Sequence, residues 1–241
     1  MIPTFRLSFF AVLVFIAFGT SACFDIDETF LFRKDGSGTA SMKVDLSQMI
    51  SLMESLSESV DSVGDSGESM EQLFAQNESV ANLKSIPGIS KVKDLNNQET
   101  GVIGYSYEFA SIEALNNALV ATEGLLDVGK LMGDGEQGGS LESEAENRFQ
   151  MKGKKLTRIY ILDPEDGDDA EADSEEEQYQ KMAEMMFANH FYTIRYNFDR
   201  DVKKVSKNDQ ARVAGRKVTV KVPMQELLNG EAIVGSVIKL K

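Results

Sequence analysis

The apolar segment at the start of the chain constrains the protein more than any other feature. One basic residue, Arg6, precedes an apolar run over residues 7–18, and small residues then lead to Cys23. A membrane-spanning helix needs about 20 apolar residues, so this run is too short to span and has the length of a secretory signal's apolar region. We therefore predict a cleaved signal peptide over residues 1–22 and a mature domain over residues 23–241.

The signal ends in a short motif around the only cysteine of the chain. Ser21 and Ala22 are the small residues that precede the cysteine of a lipobox, and Thr20 stands where leucine is usual. In these residues the chain resembles bacterial lipoproteins. The resemblance implies diacylation of the Cys23 thiol with chains such as palmitate, cleavage before Cys23, and acylation of the new amino terminus. The alternative is an ordinary cleaved signal with an incidental cysteine.

The residues that follow Cys23 bear on the location of the anchored protein. Phe24 is not the aspartate that retains some lipoproteins in an inner membrane, so we expect lipid anchoring in the cell envelope at an outer membrane. Asp25, Asp27 and Glu28 resemble the surface-export signals of some lipoproteins, which leaves the periplasmic and surface faces both open. Several acyl chains on one cysteine make membrane attachment effectively permanent.

The charge of the chain limits its partners. The formal net charge is −14, and residues 163–177 hold ten acids and no base. We expect a chain this acidic to be repelled by nucleic acid and by anionic lipid headgroups. The stretches 61–69, 133–147 and 163–177 are polar and acidic, and such blocks are typical of solvated, disordered loops.

Apolar periodicity predicts a repeating order of two strands and a helix. The fold class that we predict is α+β: an antiparallel sheet built from these units, with amphipathic helices on one face. The chain could divide into halves 23–132 and 148–241, joined by an acidic, glycine-rich linker. The predicted strands are 28–33, 39–44, 89–95, 102–109, 148–152, 156–162, 191–198, 217–222 and 234–240, and the predicted helices are 46–60, 70–83, one after Ser111, one after Ser174 and 223–228.

A hairpin opens the mature chain soon after the lipobox. Asp35-Gly36-Ser37-Gly38 supplies its turn, because glycine adopts positive φ without strain. With its flanking strands, this stretch resembles uncharacterised bacterial lipoproteins of the LppM-like type. The resemblance covers about a fifth of the chain and implies a sheet-and-helix domain held at a membrane by Cys23.

The sequence predicts no catalytic, cofactor-binding or metal-ligating residues. His190 is the only histidine, and a lipidated Cys23 leaves no thiol, so neither a zinc site of His and Cys nor cysteine catalysis is expected. A G-x-S-x-G motif and a phosphate-binding loop are both absent. The acidic block could bind Ca²⁺ weakly, although its spacing does not match an EF-hand.

Three functions remain open on the sequence. The first is a non-catalytic envelope lipoprotein with a structural or protein-interaction role, whose partners are the membrane through Cys23 and other envelope proteins. The second is a binding module that holds a lipid-like ligand in an apolar cavity between sheet and helices. The third is an envelope glycan hydrolase, because a pair of carboxylates is set in space and not in sequence.

Overall fold

A seven-stranded sheet forms the larger layer of the computed structural model, which describes residues 25–47, 50–51, 74, 78–122, 146–161, 190–228 and 233–241. Its strands lie in the order β3-β4-β2-β1-β7-β10-β9, so the strand that begins two residues after Cys23 is central. The bounds of these strands are β1 Asp25–Phe32, β2 Gly38–Asp45, β3 Ile89–Asp94, β4 Val102–Phe109, β7 Phe191–Phe198, β9 Arg212–Ala214 and β10 Lys217–Pro223.

One pairing in this sheet is parallel. β1 pairs with β7 in parallel from Ile26↔Tyr192 to Phe32↔Phe198, whereas every other pairing between its named strands is antiparallel. Parallel strands need a crossover connection, and here more than 150 residues separate the end of β1 from the start of β7. The larger sheet is therefore mixed.

A second sheet covers the apolar face of the first. It is antiparallel, with the order β5-β6-β11-β8 and the bounds β5 Glu146–Lys152, β6 Lys155–Ile161, β8 Val202–Ser206 and β11 Ser236–Leu240. Phe149 of β5 lies 5.0 Å from the Phe30 ring and 5.4 Å from the Phe32 ring of β1, centroid to centroid. The two sheets therefore share one aromatic core, as the layers of a β-sandwich do.

Three short helices complete the described part: α1 Glu78–Ser85, α2 Ile112–Val120 and α3 Met224–Leu228. The Ser111 hydroxyl caps α2 by accepting a hydrogen bond from Ala114 N at 3.1 Å, as the sequence predicts. Leu83 of α1 and Leu115 of α2 are buried in the core. No helix in the described part of the chain is long and apolar enough to cross a membrane.

The predicted fold class is wrong. The described part of the chain is mostly β, and the apolar face of the larger sheet is covered by a second sheet in addition to helices, so helices on one face of an antiparallel sheet do not describe it. Local hairpin signals correctly predict many strands, but they carry no information on which distant strands pair. The sequence also missed β8 and β9, since residues 202–206 and 212–214 lack a clear apolar alternation.

Several predicted elements lie outside the described residues. These include the signal peptide, the helix after Ser174, most of the helix over 46–60, and the acidic stretches 61–69 and 163–177. Most of the stretch 133–147 also lies outside them. The helix predicted over 70–83 is described as a helix from Glu78 to Ser85.

Candidate functional site

The predicted lipidation site, Cys23, lies outside the described residues, as do the acids of the candidate calcium-binding block over 163–177. The described chain begins at Asp25, directly on the central strand β1. No group of three or more His, Cys, Asp or Glu side chains in the described ranges could hold a metal ion. The most distinctive chemistry in these ranges is instead a buried polar cluster between the two sheets.

Strand alternation brings four polar side chains to one place in the core. On β1, Glu28 has the same inward orientation as Ile26 and Phe30, and its cross-strand neighbours on β7 include the inward-facing Tyr192 and Tyr196. Arg158 projects from β6 of the opposite sheet. All four residues are buried, and the Arg158 side chain is 0% exposed. We call these residues, Glu28, Arg158, Tyr192 and Tyr196, the inter-sheet cluster.

Hydrogen bonds connect all four residues of the inter-sheet cluster. Arg158 Nη1 donates to Glu28 Oε2 at 2.6 Å and to the Tyr196 hydroxyl at 3.4 Å. Arg158 Nη2 donates to the Tyr192 hydroxyl at 3.2 Å, and that hydroxyl donates to Glu28 Oε2 at 2.5 Å. Arg158 Nε donates to Asn147 Oδ1 at 3.1 Å. Charge-assisted bonds of this kind are about twice as strong as neutral ones.

Aromatic rings surround the guanidinium. The Arg158 Cζ lies 5.5 Å from the Phe30 centroid, 5.3 Å from the Phe149 centroid and 5.4 Å from the Tyr160 centroid. A cation over an aromatic face is attracted by the negative face of the ring, and the attraction grows when water is excluded. The rings therefore offset part of the cost of removing Arg158 from water.

Burial and charge perturb the titration of Arg158, Tyr192 and Tyr196. Burial lowers the pKa of Arg158, but the Glu28 carboxylate and the two tyrosines more than reverse this, so its pKa lies well above the ordinary value. Burial raises the pKa of Tyr192 well above its ordinary value, despite the opposing effect of Arg158. Burial raises the pKa of Tyr196 in the same way. Arg158 therefore stays charged and both tyrosines stay neutral at every physiological pH.

Two further buried tyrosines lie on β4. The Tyr105 hydroxyl donates to Met42 Sδ at 3.4 Å, and the rings of Tyr105 and Tyr107 are stacked with centroids 6.1 Å apart. Burial raises the pKa of both hydroxyls above the ordinary value. This inner face therefore combines apolar packing with aromatic hydroxyls.

The inter-sheet cluster holds its carboxylate in a fixed arrangement. Glu28 Oε2 accepts hydrogen bonds from both Arg158 and Tyr192. These two donors would have to move away before that oxygen could remove a proton from a substrate. A general base needs an accessible lone pair directed at its substrate. The inter-sheet cluster instead joins β1 and β7 of one sheet to β6 of the other.

The inter-sheet cluster is not among the sites predicted from the sequence, although the sequence carries a signal for it. Glu28 shares its parity along β1 with Phe30, and Arg158 shares its parity along β6 with Leu156, so each charge falls on the apolar face of its strand. A charge on an apolar face predicts a buried partner. The separation of 130 positions hides which partner it is.

The only histidine and the predicted Asp35–Gly38 turn both take part in local structure. His190 is buried at the start of β7, where its carbonyl oxygen accepts from Met224 N at 2.8 Å. Asp35-Gly36-Ser37-Gly38 forms the predicted hairpin turn, with Gly36 at φ 85°. The Ser37 hydroxyl donates to Asp35 Oδ1 at 2.7 Å and lowers the pKa of that carboxyl.

Comparisons with known proteins give little beyond this geometry. No protein-family model matches the chain, and no curated protein matches it. Among solved structures, the chain is similar to the NMR structure of the folded domain of LppM from Mycobacterium tuberculosis, with a TM-score of 0.43 and 7% sequence identity. That match covers 91% of this chain and 90% of the other. A similarity at this level does not assign the chain to a family, so the lipoprotein interpretation continues to rest on the residues around Cys23.

Proposed function

We propose that the protein is a lipid-anchored lipoprotein of the bacterial cell envelope and that its folded part is a non-catalytic protein-interaction module. The motif that ends in Cys23 supports the anchor. The observation that carries the non-catalytic part is the inter-sheet cluster, because its charged side chains are bonded to one another and hold the two sheets together. We propose more specifically that the protein lies at the outer membrane and that acyl chains are attached to Cys23.

The exposed face of the larger sheet supports an interaction role. Side chains that point away from the core on the central strands include the Asp27–Arg195 ion pair, Lys43 and Lys221. Lys221 Nζ also lies 3.6 Å from the centroid of the Phe191 ring. A face with both signs of charge and a partly exposed aromatic ring suits a polar contact with another envelope protein.

The anchor is tested by replacing the lipidated cysteine. Cys23→Ser removes the thiol that accepts the diacylglyceryl group, so we expect loss of acyl labelling in cells and accumulation of the unprocessed precursor. Mass spectrometry of the amino terminus and labelling with an alkyne fatty acid provide the measurement. Normal processing of Cys23→Ser before residue 23 would contradict the anchor and favour an ordinary signal peptidase.

The interaction role is tested by cross-linking in intact cells. A photoreactive amino acid at Lys43 or Arg195 samples the exposed face, and the same amino acid at Lys34, in the first hairpin turn, is the matched control. We expect one protein to be cross-linked from both face positions and not from Lys34. Identical products from all three positions, or none from the face, would contradict the interaction module.

A further inference from the structure

A line of four lysines crosses the second sheet. Lys152 is the cross-strand partner of Lys155, Lys155 is the partner of Lys239, and Lys239 is the partner of Lys204. Cross-strand partners in an antiparallel sheet project from the same face, so one lysine from each of the four strands lies on this line. We call these residues the lysine row.

The lysine row faces solvent. All four side chains are exposed, whereas Leu156 and Ile238, their neighbours along β6 and β11, point into the core. Neighbouring strands lie about 4.8 Å apart, so the row spans about 14 Å. Lys154 in the β5–β6 turn and Lys203 on β8 are exposed beside it.

The lysine row has no anionic counterpart in the described ranges. No ion pair joins any of its four lysines to a carboxylate among these residues. Asp201, which precedes β8, is instead within 3.5 Å of Arg216 and 3.6 Å of Lys241. Like charges placed directly opposite each other destabilise a sheet, so the four lysines repel one another until anionic groups neutralise them.

Protection of sheet edges does not explain the lysine row. Lysines on an edge strand prevent pairing with another molecule, and this accounts for Lys152 on β5 and Lys204 on β8. Lys155 and Lys239, however, lie on β6 and β11, which are interior strands whose backbone groups are already paired. The two interior lysines therefore require another explanation.

The charge of the chain is divided unequally between its parts. The stretches 61–69, 133–147 and 163–177 hold 18 of the 39 Asp and Glu residues, whereas the four strands of the second sheet hold seven Lys and Arg residues and one acid. These strands are therefore net positive although the whole chain carries −14. The net charge of the whole chain consequently does not predict what this face attracts.

We propose that the lysine row docks the second sheet onto anionic phospholipid headgroups of the membrane that holds Cys23. This rests on the proposed function, which places the domain at a membrane on a tether of two residues before β1. The four exposed lysines present positive charge from every strand of the second sheet, and each lysine near an anionic surface strengthens binding about fivefold. The tether raises the effective concentration of the face at the membrane, so weak contacts suffice.

The test uses the full acylated protein, reconstituted in vesicles of phosphatidylcholine alone or of phosphatidylcholine with phosphatidylglycerol. Lysine acetylation is followed residue by residue by mass spectrometry. We expect acetylation of Lys155 and Lys239 to slow about fivefold or more in the phosphatidylglycerol vesicles only, and to recover at high salt. Lys43 and Lys221, on the exposed face of the other sheet, are the internal controls and should react equally in both.

A pair of variants gives a second readout. Lys155→Gln with Lys239→Gln should abolish the slower acetylation of Lys152 and Lys204 in phosphatidylglycerol vesicles. The control, Lys43→Gln with Lys221→Gln, changes the net charge equally and should leave that slower acetylation unchanged. Because the first variant removes like-charge repulsion, it should fold at least as stably as the parent.

The outcomes separate this proposal from the anchor. Equal acetylation of the lysine row in both vesicles, or equal protection by soluble glycerol phosphate, would overturn headgroup docking. Failure of the protein to float with phosphatidylcholine vesicles would instead overturn the anchor. Headgroup docking would still be supported if the protein then floated only with the vesicles that contain phosphatidylglycerol, and if the variant with glutamine at positions 155 and 239 did not float with them.

Discussion

At the scale of residues, the inter-sheet cluster is both a cost and a constraint. Moving a charged pair out of water costs several kcal/mol per ion, and attraction between the charges offsets this only when the remaining hydrogen-bonding groups are satisfied. Arg158 meets that condition through Glu28, Tyr192, Tyr196 and Asn147. Because these groups come from both sheets, we infer that the inter-sheet cluster selects one alignment of the sheets over others that would bury the same apolar area.

Arg158→Met should lower the free energy of unfolding by about 3–5 kcal/mol, because it leaves the Glu28 carboxylate buried without a cation. Glu28→Gln combined with Arg158→Met should recover part of this loss, since no buried charge then remains. Urea denaturation of the mature protein, followed by circular dichroism, provides the measurement.

Arg195→Met is the matched control for the Arg158 substitution. Arg195 pairs with Asp27 on the exposed face, where its side chain is 45% exposed, so its loss should cost less than about 1 kcal/mol. Equal effects of the two arginine substitutions would show that burial of the inter-sheet cluster does not govern its energy.

At the scale of elements, β1 decides the layout of the larger sheet. It pairs with β2 through a local hairpin and with β7 across a long connection, and it supplies Phe30 and Phe32 to the core. The hairpin also requires a close approach, because the Cβ of any larger residue at position 38 would overlap the Leu31 carbonyl oxygen and the Phe109 ring. Gly38 is therefore needed because the chain passes too close to the Leu31 backbone and the Phe109 ring for a Cβ. Gly36 is instead needed for the positive φ of the turn.

Gly38→Ala should destabilise the protein by at least about 3 kcal/mol, since either the Leu31 backbone or the Phe109 ring must move. Gly153→Ala, in the β5–β6 turn, is the control. Gly153 has φ 59°, and a Cβ added there would meet no atom within 4 Å, so only backbone strain of about 1–2 kcal/mol applies. Chemical denaturation compares the two, and a larger loss for Gly153→Ala would contradict the close-approach argument.

At the scale of the whole molecule, aromatic hydroxyls are concentrated in one core. Tyr105, Tyr107, Tyr192 and Tyr196 are four of the six tyrosines, all are buried, and burial raises the pKa of each. A group with a raised folded-state pKa favours folding fully below its unfolded pKa and loses that contribution as the pH rises toward the folded value. The folded state should therefore be sensitive to alkali.

The free energy of unfolding should decline with pH above about 10, the ordinary pKa of tyrosine in the unfolded chain. Tyrosine absorbance should show four hydroxyls ionising together with loss of the near-ultraviolet dichroism signal, at a pH above that of the urea-unfolded protein. Ionisation of all six tyrosines near pH 10 with the fold retained would contradict this prediction.

The local features of this protein follow from its amino-acid sequence. It predicted the Asp35–Gly38 hairpin, the strands over 102–109 and 191–198 and the helix after Ser111, because turn geometry, apolar alternation and capping act between residues close in the chain. It also carried the prediction of a lipid anchor on Cys23. These signals need no knowledge of distant partners.

The way in which those elements combine depends on long-range contacts that the folded protein reveals. The parallel pairing of β1 with β7, the second sheet over the first, the bond between Glu28 and Arg158, and the alignment of four lysines all join residues far apart in sequence. The alternation of residues along a strand determines which face of its sheet a side chain lies on. The pairing of distant strands determines which side chains then become neighbours. Composition misleads for the same reason, since a net charge of −14 accompanies a second sheet whose strands hold seven Lys and Arg residues and one acid.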